Sequence, residues 1–538
     1  MRINFRHILT YLLFKRIIPC TLIRMSVSNT TTKPAPAGGI SPAGVVIAVI
    51  TLLTAALHLA VAGRYDLMRN ELYFLACGRH PSLGYADQPP LVPLIAAATQ
   101  LFGQSVWLLR LPAALAAIAL VPLTAALARL AGGDRKASVI AAAAAAAAPG
   151  LAGVSTTLTT ASFEPIAWTA LTYFVTRAMV LQERRALIWA GLVAGLAMEA
   201  KYGVVIWLIG LGLGLLATPA RRMLAWREAW IGAGVAALIA APSLVWQAAQ
   251  GWPFLAIVGR HSAGDLTGDP LRFEIGQVLA LNLLLAPLWI SGAVAPFVVD
   301  RLKPLRALAL AFIAATVVTY VSHGKDYYLF AAYPAMFALG AVVCARLWSW
   351  AVGLWLAASA ANFLLIAPVV FPLLPPERLL FLLEHSHVRP APDEAAAVGA
   401  PLTQVFSEEM GWRELETKVA AVYHALPAAD QGRTAIFASN YGEAAAIDVY
   451  GGKDGLPPAI SGDNQYYLWG PRGYDGRVMI LINGDPASWR ARCDDITEAD
   501  RFGTPLAMPF ERDRPILICR NLHGGLDSAW PSLKRYGQ

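Results

Sequence analysis

From residue 43 to residue 374 the chain alternates long apolar runs with short polar breaks, and beyond that point the pattern changes. The apolar runs lie at 43–62, 106–131, 137–154, 165–181, 186–199, 203–218, 228–248, 276–299, 306–322, 328–345 and 348–374. A helix needs about 20 apolar residues to cross a bilayer, so the pattern predicts about eleven transmembrane helices, some of them short. After residue 376 charged residues occur throughout. Runs such as "TAIFAS", "RVMILING" and "PILICR" read as strands, and "ELETKVAAVYHAL" has the helical period. The expected architecture is an all-α polytopic membrane protein with a C-terminal α/β domain, divided into 1–42, 43–375 and 376–538.

The polar breaks carry the orientation. Basic clusters at Arg135-Lys136, Arg184-Arg185, Arg221-Arg222 with Arg227, and Arg301 with Lys303 and Arg306 fall at every second connection, and such clusters accumulate on the cytoplasmic side. The N-terminus is then cytoplasmic and the turn from Glu199 to Tyr202 faces outward. An odd number of crossings leaves the C-terminal domain outside the cytoplasmic (inner) membrane. Residues 1–24 hold two apolar pieces split by Lys15 and Arg16, too short to span. A start at Met25 and a disordered tail to residue 42 are expected. Composition agrees with a membrane protein: 57% hydrophobic residues, 14% charged and a mean hydropathy of +0.52 lie outside the soluble range. The formal charge of +8 is explained by the cytoplasmic clusters, so no nucleic-acid partner is expected. Cys493 and Cys519 share a compartment that permits oxidation, where a disulfide and two buried thiols are both open.

The outward loops concentrate polar chemistry. "MRNELYFLACGRHPSLGYADQPPL", Met68 to Leu91, follows the first apolar run yet holds Glu71, Asp87 and the rigid Pro89-Pro90 pair. It leads into "LVPLIAAATQLFG", an expected interfacial amphipathic helix. Other outward loops bring Glu164, Lys201-Tyr202, Arg260-His261, and Lys325 with Tyr327 and Tyr328. Ionisable groups near the membrane cost free energy unless they pair or line a watery site, so these residues point to a functional site. Each also has a plainer reading. Glu71 could pair with Arg69 or Arg79, and Asp87 could cap the interfacial helix. Glu164 could cap its own helix, Lys201 could snorkel, and the tyrosines could belong to an aromatic belt. Arg260 and His261 could be loop charges. His261, His323 and Asp87 show no metal-ligand spacing. No obligatory cofactor is expected, with a divalent metal left open.

Five segments in order, "NELYFLACGRHPSLGYADQPPLVPL", "FEPIAWTALTYFVTRA", "GLAMEAKYG", "WQAAQGWP" and "GKDYYLFAAYP", resemble signature segments of the family 39 glycosyltransferases, which include protein O-mannosyltransferases and lipid A aminoarabinose transferases. The tail segments "SNYGEAAAIDVYGG", "LPPAISGDNQYYLWGP" and "ILICR" resemble the C-terminal domain of one bacterial branch. The resemblance implies a GT-C fold and inverting transfer of a sugar from a polyprenyl-phosphate carrier to an acceptor, on the outer face of the membrane. It puts Asn70-Glu71 at the family's Asp-Glu pair, whose Asp activates the acceptor. An amide takes no proton at neutral pH, so the base passes to Glu71, Asp66 or Asp87, or the reaction tolerates its absence, or the chain is not catalytic. It also puts Asp87-Gln88 where the aminoarabinose branch has a Glu-Lys pair that meets metal and carrier phosphate. The expected substrate contacts are then Tyr85, Gln88, Glu164, Lys201, Tyr202, Arg260, His261, Lys325, Tyr327 and Tyr328.

Two other classes share these features. A transporter or flippase would also carry outer carboxylates and an apolar groove, but it would place ionisable groups at the midplane and show inverted repeats. A non-catalytic protein that binds a carrier lipid would fit Asn70. No Walker loop, dinucleotide fingerprint or paired CxxC is present.

Overall fold

The apolar runs do fold as helices, but fewer of them are long enough to span. The computed structural model describes residues 41–264, 270–386 and 395–536, so the expected start at Met25 and most of the expected tail to residue 42 lie outside the described residues. Among the described residues six helices are long and apolar enough to cross a membrane: Pro42–Val61, Val106–Leu130, Arg227–Ala249, Asp300–Val321, Asp326–Cys344 and Ser349–Val370. Two sharply bent pairs, Val204–Leu216 with Pro219–Ala225 and Phe273–Ala280 with Leu283–Val298, raise this to eight if each is one span. The expected eleven is not confirmed, and length is the reason. Helices Arg135–Ala146 and Ala186–Ala200 rise about 1.5 Å per residue, well short of the roughly 30 Å hydrocarbon layer.

Local chemistry sets several helix ends. Ser105 accepts from Leu108 N at 3.4 Å and Asp134 from Ala137 N at 2.8 Å, each satisfying an orphan donor of a first turn. The "MEAKYG" turn occurs where expected, breaking the chain between Ala186–Ala200 and Val204–Leu216. Close approach between helices relies on small residues. A Cβ on Gly191 would meet the carbonyl oxygen of Gly232 at 2.0 Å, so these backbones touch and neither glycine can be replaced without moving a helix.

The C-terminal part carries five strands: β1 (Thr434–Ala438), β2 (Ile460–Ser461), β3 (Val478–Ile482), β4 (Cys493–Phe502) and β5 (Arg514–Leu522). They form one mixed sheet in the order β2-β1-β3-β5-β4. β1 runs parallel to β2 and β3, while β5 is antiparallel to β3 and β4. β1 and β3 are buried along their whole length and read as continuous apolar runs; edge strand β4, "CDDITEADRF", is mostly polar and was not visible as a strand in the sequence. Cys493 and Cys519 are joined as a disulfide between β4 and β5. The membrane-type helices and this sheet share one compact unit. A single apolar cluster unites Leu72, Tyr73 and Tyr85 of the first loop with Leu415, Ile447 and Ile480 of the C-terminal part.

Candidate functional site

The first loop folds as the helix Arg69–Arg79 followed by an irregular segment that ends at the helix Leu91–Gln100. The N-cap of the latter is Pro90, with no side-chain cap, so Asp87 does not cap it. Asp87 instead accepts from the Tyr73 hydroxyl at 2.8 Å on Oδ1 and from Asn464 Nδ2 at 3.3 Å on Oδ2. It is partly exposed, and burial among these groups pushes it up to about 6. The loop is pinned around it: Ala86 N donates to Gln465 Oε1 at 3.0 Å, and Gln247 Nε2 donates to the Tyr85 carbonyl at 2.8 Å. Tyr85 is fully buried, and its hydroxyl is spent on the Cys77 and His80 carbonyls. Gln88 is buried, with its amide against the Cys77 thiol.

Glu71 has another environment. It is fully buried and pairs with neither Arg69 nor Arg79. Its carboxylate takes two bonds from Arg110, Nε at 2.9 Å and a terminal nitrogen at 2.8 Å, plus Met68 N at 2.9 Å and Leu158 N at 2.8 Å. Arg110 also meets Glu409 at 3.1 Å. One guanidinium therefore faces two buried carboxyl groups, and burial, reinforced by the charge of Glu71, pushes Glu409 up to about 8 despite Arg110. The folded state holds that proton where the unfolded chain would release it. Stability from Glu409 is thus full below the ordinary Glu range and lost as pH rises through about 8. The melting temperature of the purified protein is expected to fall over that interval, and Glu409→Gln should flatten the fall.

Asn70, adjoining Glu71, accepts from the Tyr441 hydroxyl at 2.8 Å. Tyr441 begins the helix Tyr441–Tyr450, fixed by a capping box between Asn440 and Glu443. Arg69 lies over the Tyr441 ring at 5.3 Å and pairs with Glu408 at 3.3 Å. Asp66 is held by Arg413 at 2.8 Å and by the Tyr450 hydroxyl at 2.8 Å.

The second polar group centres on Lys201. Its Nζ lies 2.7 Å from Glu164, 5.0 Å from the Tyr327 ring centroid and 4.3 Å from that of Tyr328. Lys201 is thus ion-paired with Glu164, and Glu164 does not cap its helix. Lys325 is buried at the N-cap of the turn Asp326–Ala332. Tyr202 packs edge-on against Phe254 at 4.8 Å. Arg260 and His261 fall on the helix Pro253–Gly264, and their side chains lie outside the described residues. Ala200, next to Lys201, belongs to the same apolar cluster as Tyr73 and Tyr85, and Phe163, next to Glu164, packs against it. The loop carboxylate and the Lys201 group are thus backed by one core.

Sequence reasoning missed Arg110, Glu409, Tyr441 and the Asp463-Asn464 pair as parts of this region. Arg110 had a signal, a charge inside an apolar span, which is costly unless paired. Among the described residues no group of three or more His, Cys, Asp or Glu side chains is placed to hold a metal ion. A cavity of about 630 Å³ opens by Asp66, Glu409 and Arg413, apart from Asp87 and Lys201.

Residues 87–246 match the family model of dolichyl-phosphate-mannose-protein mannosyltransferase, a stretch that begins at Asp87 and contains Glu164 and Lys201. No curated protein matches the chain. The crystal structure of ArnT from Cupriavidus metallidurans bound to undecaprenyl phosphate is similar over 89% of this chain and 98% of that one, with a TM-score of 0.60 and 15% identity. The apo state of ArnT from the same organism gives 88%, 97%, 0.60 and 15%. At that identity the likeness speaks for the fold. The resemblance read from the sequence is thus supported twice: residues 87–246 are similar in sequence to that mannosyltransferase family model, and the chain is similar in fold to ArnT over most of its length.

Proposed function

We propose that the protein is an inverting membrane glycosyltransferase that moves a sugar from a polyprenyl-phosphate donor to an acceptor hydroxyl or equivalent nucleophile, with Asp87 as the base. The observation that carries the reading is the placement of a partly exposed carboxylate, Asp87, on the core that also holds Ala200, beside Lys201, with both Asp87 and Lys201 inside the segment that matches the family model. The acceptor O–H proton passes to Asp87 while the oxygen attacks the anomeric carbon from the face opposite the phosphate. The bond from that carbon to the phosphate oxygen breaks, and its electron pair leaves on the polyprenyl phosphate. Lys201 and Lys325 would receive that charge, and Tyr327 and Tyr328 would hold the sugar or donate to the phosphate. Glu164 keeps Lys201 in place, and Glu71 serves to position the loop through Arg110 rather than to take a proton. Arg260, His261 and Tyr202 remain assigned to substrate contact. No metal is required by this scheme.

The disulfide of the C-terminal domain supports an outer-face location for residues 376–538, because such bonds persist in oxidising compartments. The inner membrane, with the N-terminus in the cytoplasm, completes the assignment.

Undecaprenyl phosphate, the ligand in the ArnT structure, is the probe for the donor side. Lys201→Met is expected to weaken its binding to the reconstituted protein by about tenfold or more, the worth of one lost charge-assisted contact. Native mass spectrometry of the complex reads this directly. Unchanged binding would remove Lys201 from the phosphate site, and lipid binding without any sugar transfer would favour a carrier-lipid-binding protein.

A further inference from the structure

We propose that three consecutive residues of the C-terminal domain, Asp463, Asn464 and Gln465, complete the loop site, with Asn464 and Gln465 positioning the Asp87 carboxylate and Asp463 anchoring the segment on the Tyr441 backbone. The inference rests on the reading of Asp87 as the base. A domain that merely docked on the loop would touch it at scattered points. Here both oxygens of one carboxylate are addressed from one short segment. Asn464 Nδ2 donates to Asp87 Oδ2 at 3.3 Å, and Gln465 N donates to the Tyr73 hydroxyl at 3.1 Å, which itself donates to Asp87 Oδ1 at 2.8 Å. Gln465 Oε1 also takes the neighbouring Ala86 N.

The segment is built to hold this geometry. Asn464 adopts a left-handed backbone with φ 42°, a region that Asn enters more readily than most residues and that folds retain where surrounding contacts impose it. Those contacts come from the chain's last turn: Asn464 N donates to the Arg535 carbonyl at 3.2 Å, and Arg535 N to the Gly462 carbonyl at 2.7 Å. Asp463 lies behind, with no exposed surface. Its Oδ2 accepts from Tyr441 N at 3.1 Å.

The groups facing Asp87 are Tyr73 and Cys77 from the loop helix and Asp463 and Asn464 from the C-terminal domain. Burial pushes Asp87 up to about 6, and the hydrogen bonds from Tyr73 and Asn464 hold it below where burial alone would put it. The carboxylate is thus aimed by donors that favour its charged form.

Carbodiimide labelling of Asp87 against pH, read by peptide mass spectrometry on the full-length protein in nanodiscs, tests this without a known acceptor. Asn464→Ala removes a donor to the charged form and is expected to raise the Asp87 midpoint, and Tyr73→Phe, which removes the donor that Gln465 holds, is expected to raise it too. A general loosening of the interface would instead admit water and lower the midpoint toward the ordinary Asp value. A midpoint unmoved or lowered in Asn464→Ala overturns the positioning role, and if that variant does not fold, the same result in Tyr73→Phe overturns it. Undecaprenyl phosphate binding should stay within about twofold in both variants, since neither residue meets the donor phosphate. Wild-type protein that fails to bind this lipid would instead overturn the transferase reading, and the labelling midpoints would still decide the positioning role.

Discussion

Asp87→Asn is expected to fold normally and to lose sugar transfer by about 10²–10⁴-fold, the usual cost of removing a general base. The substitution is close to isosteric and keeps one acceptor oxygen for Tyr73 or Asn464, so the melting temperature should fall only modestly and undecaprenyl phosphate binding should change little. The wild-type rate should fall as pH drops through about 6, where Asp87 takes up a proton. In the variant that acid limb should disappear. Measured transfer from a polyprenyl-phosphate sugar, with the pH profile, decides the matter. Full activity would take Asp87 out of the chemistry and move the search for a base to Glu164 and the turn from Lys325 to Tyr328. Asn70→Asp provides the companion test, since it restores an acid at the position where the family resemblance places one.

Arg110→Leu is expected to carry the largest cost in stability, about 3–5 kcal/mol, the range for breaking a buried ion pair by deleting one partner. Glu71 would lose both guanidinium bonds in a site without solvent, and Glu409 would lose the hydrogen bond from the same guanidinium. Because Glu71 also holds Met68 N and Leu158 N, the loop helix and the strand of chain before Glu164 should loosen together. Thermal unfolding and limited proteolysis of the membrane-embedded protein would show it. Glu71→Gln separates two roles for that residue. A catalytic Glu71 gives a stable, inactive variant, whereas a positioning Glu71 gives a destabilised one whose folded fraction still turns over. A variant with unchanged melting and no activity would return Glu71 to the chemistry.

Membrane character, the helical class of residues 43–374 and the strands β1, β3 and β5 were legible in the chain itself, because apolar run length and side-chain period are local properties. The family resemblance was legible too, since it rests on short ordered segments. The number of spans was not, because an apolar run of 12 or 15 residues reads like a span until its helical length is known. The sequence also marked Glu71, Asp87, Glu164 and Lys201 as residues needing partners, without supplying those partners. Tertiary structure alone paired Glu71 with Arg110, 39 residues away, Arg110 with Glu409, 299 away, and Asp87 with Asn464, 377 away. Nothing local distinguishes a carboxylate that will be neutralised in a core from one that will stay available to a substrate. That difference arises only when distant elements pack, because desolvation and the nearest opposite charge together set whether an acid is spent on structure or left to react.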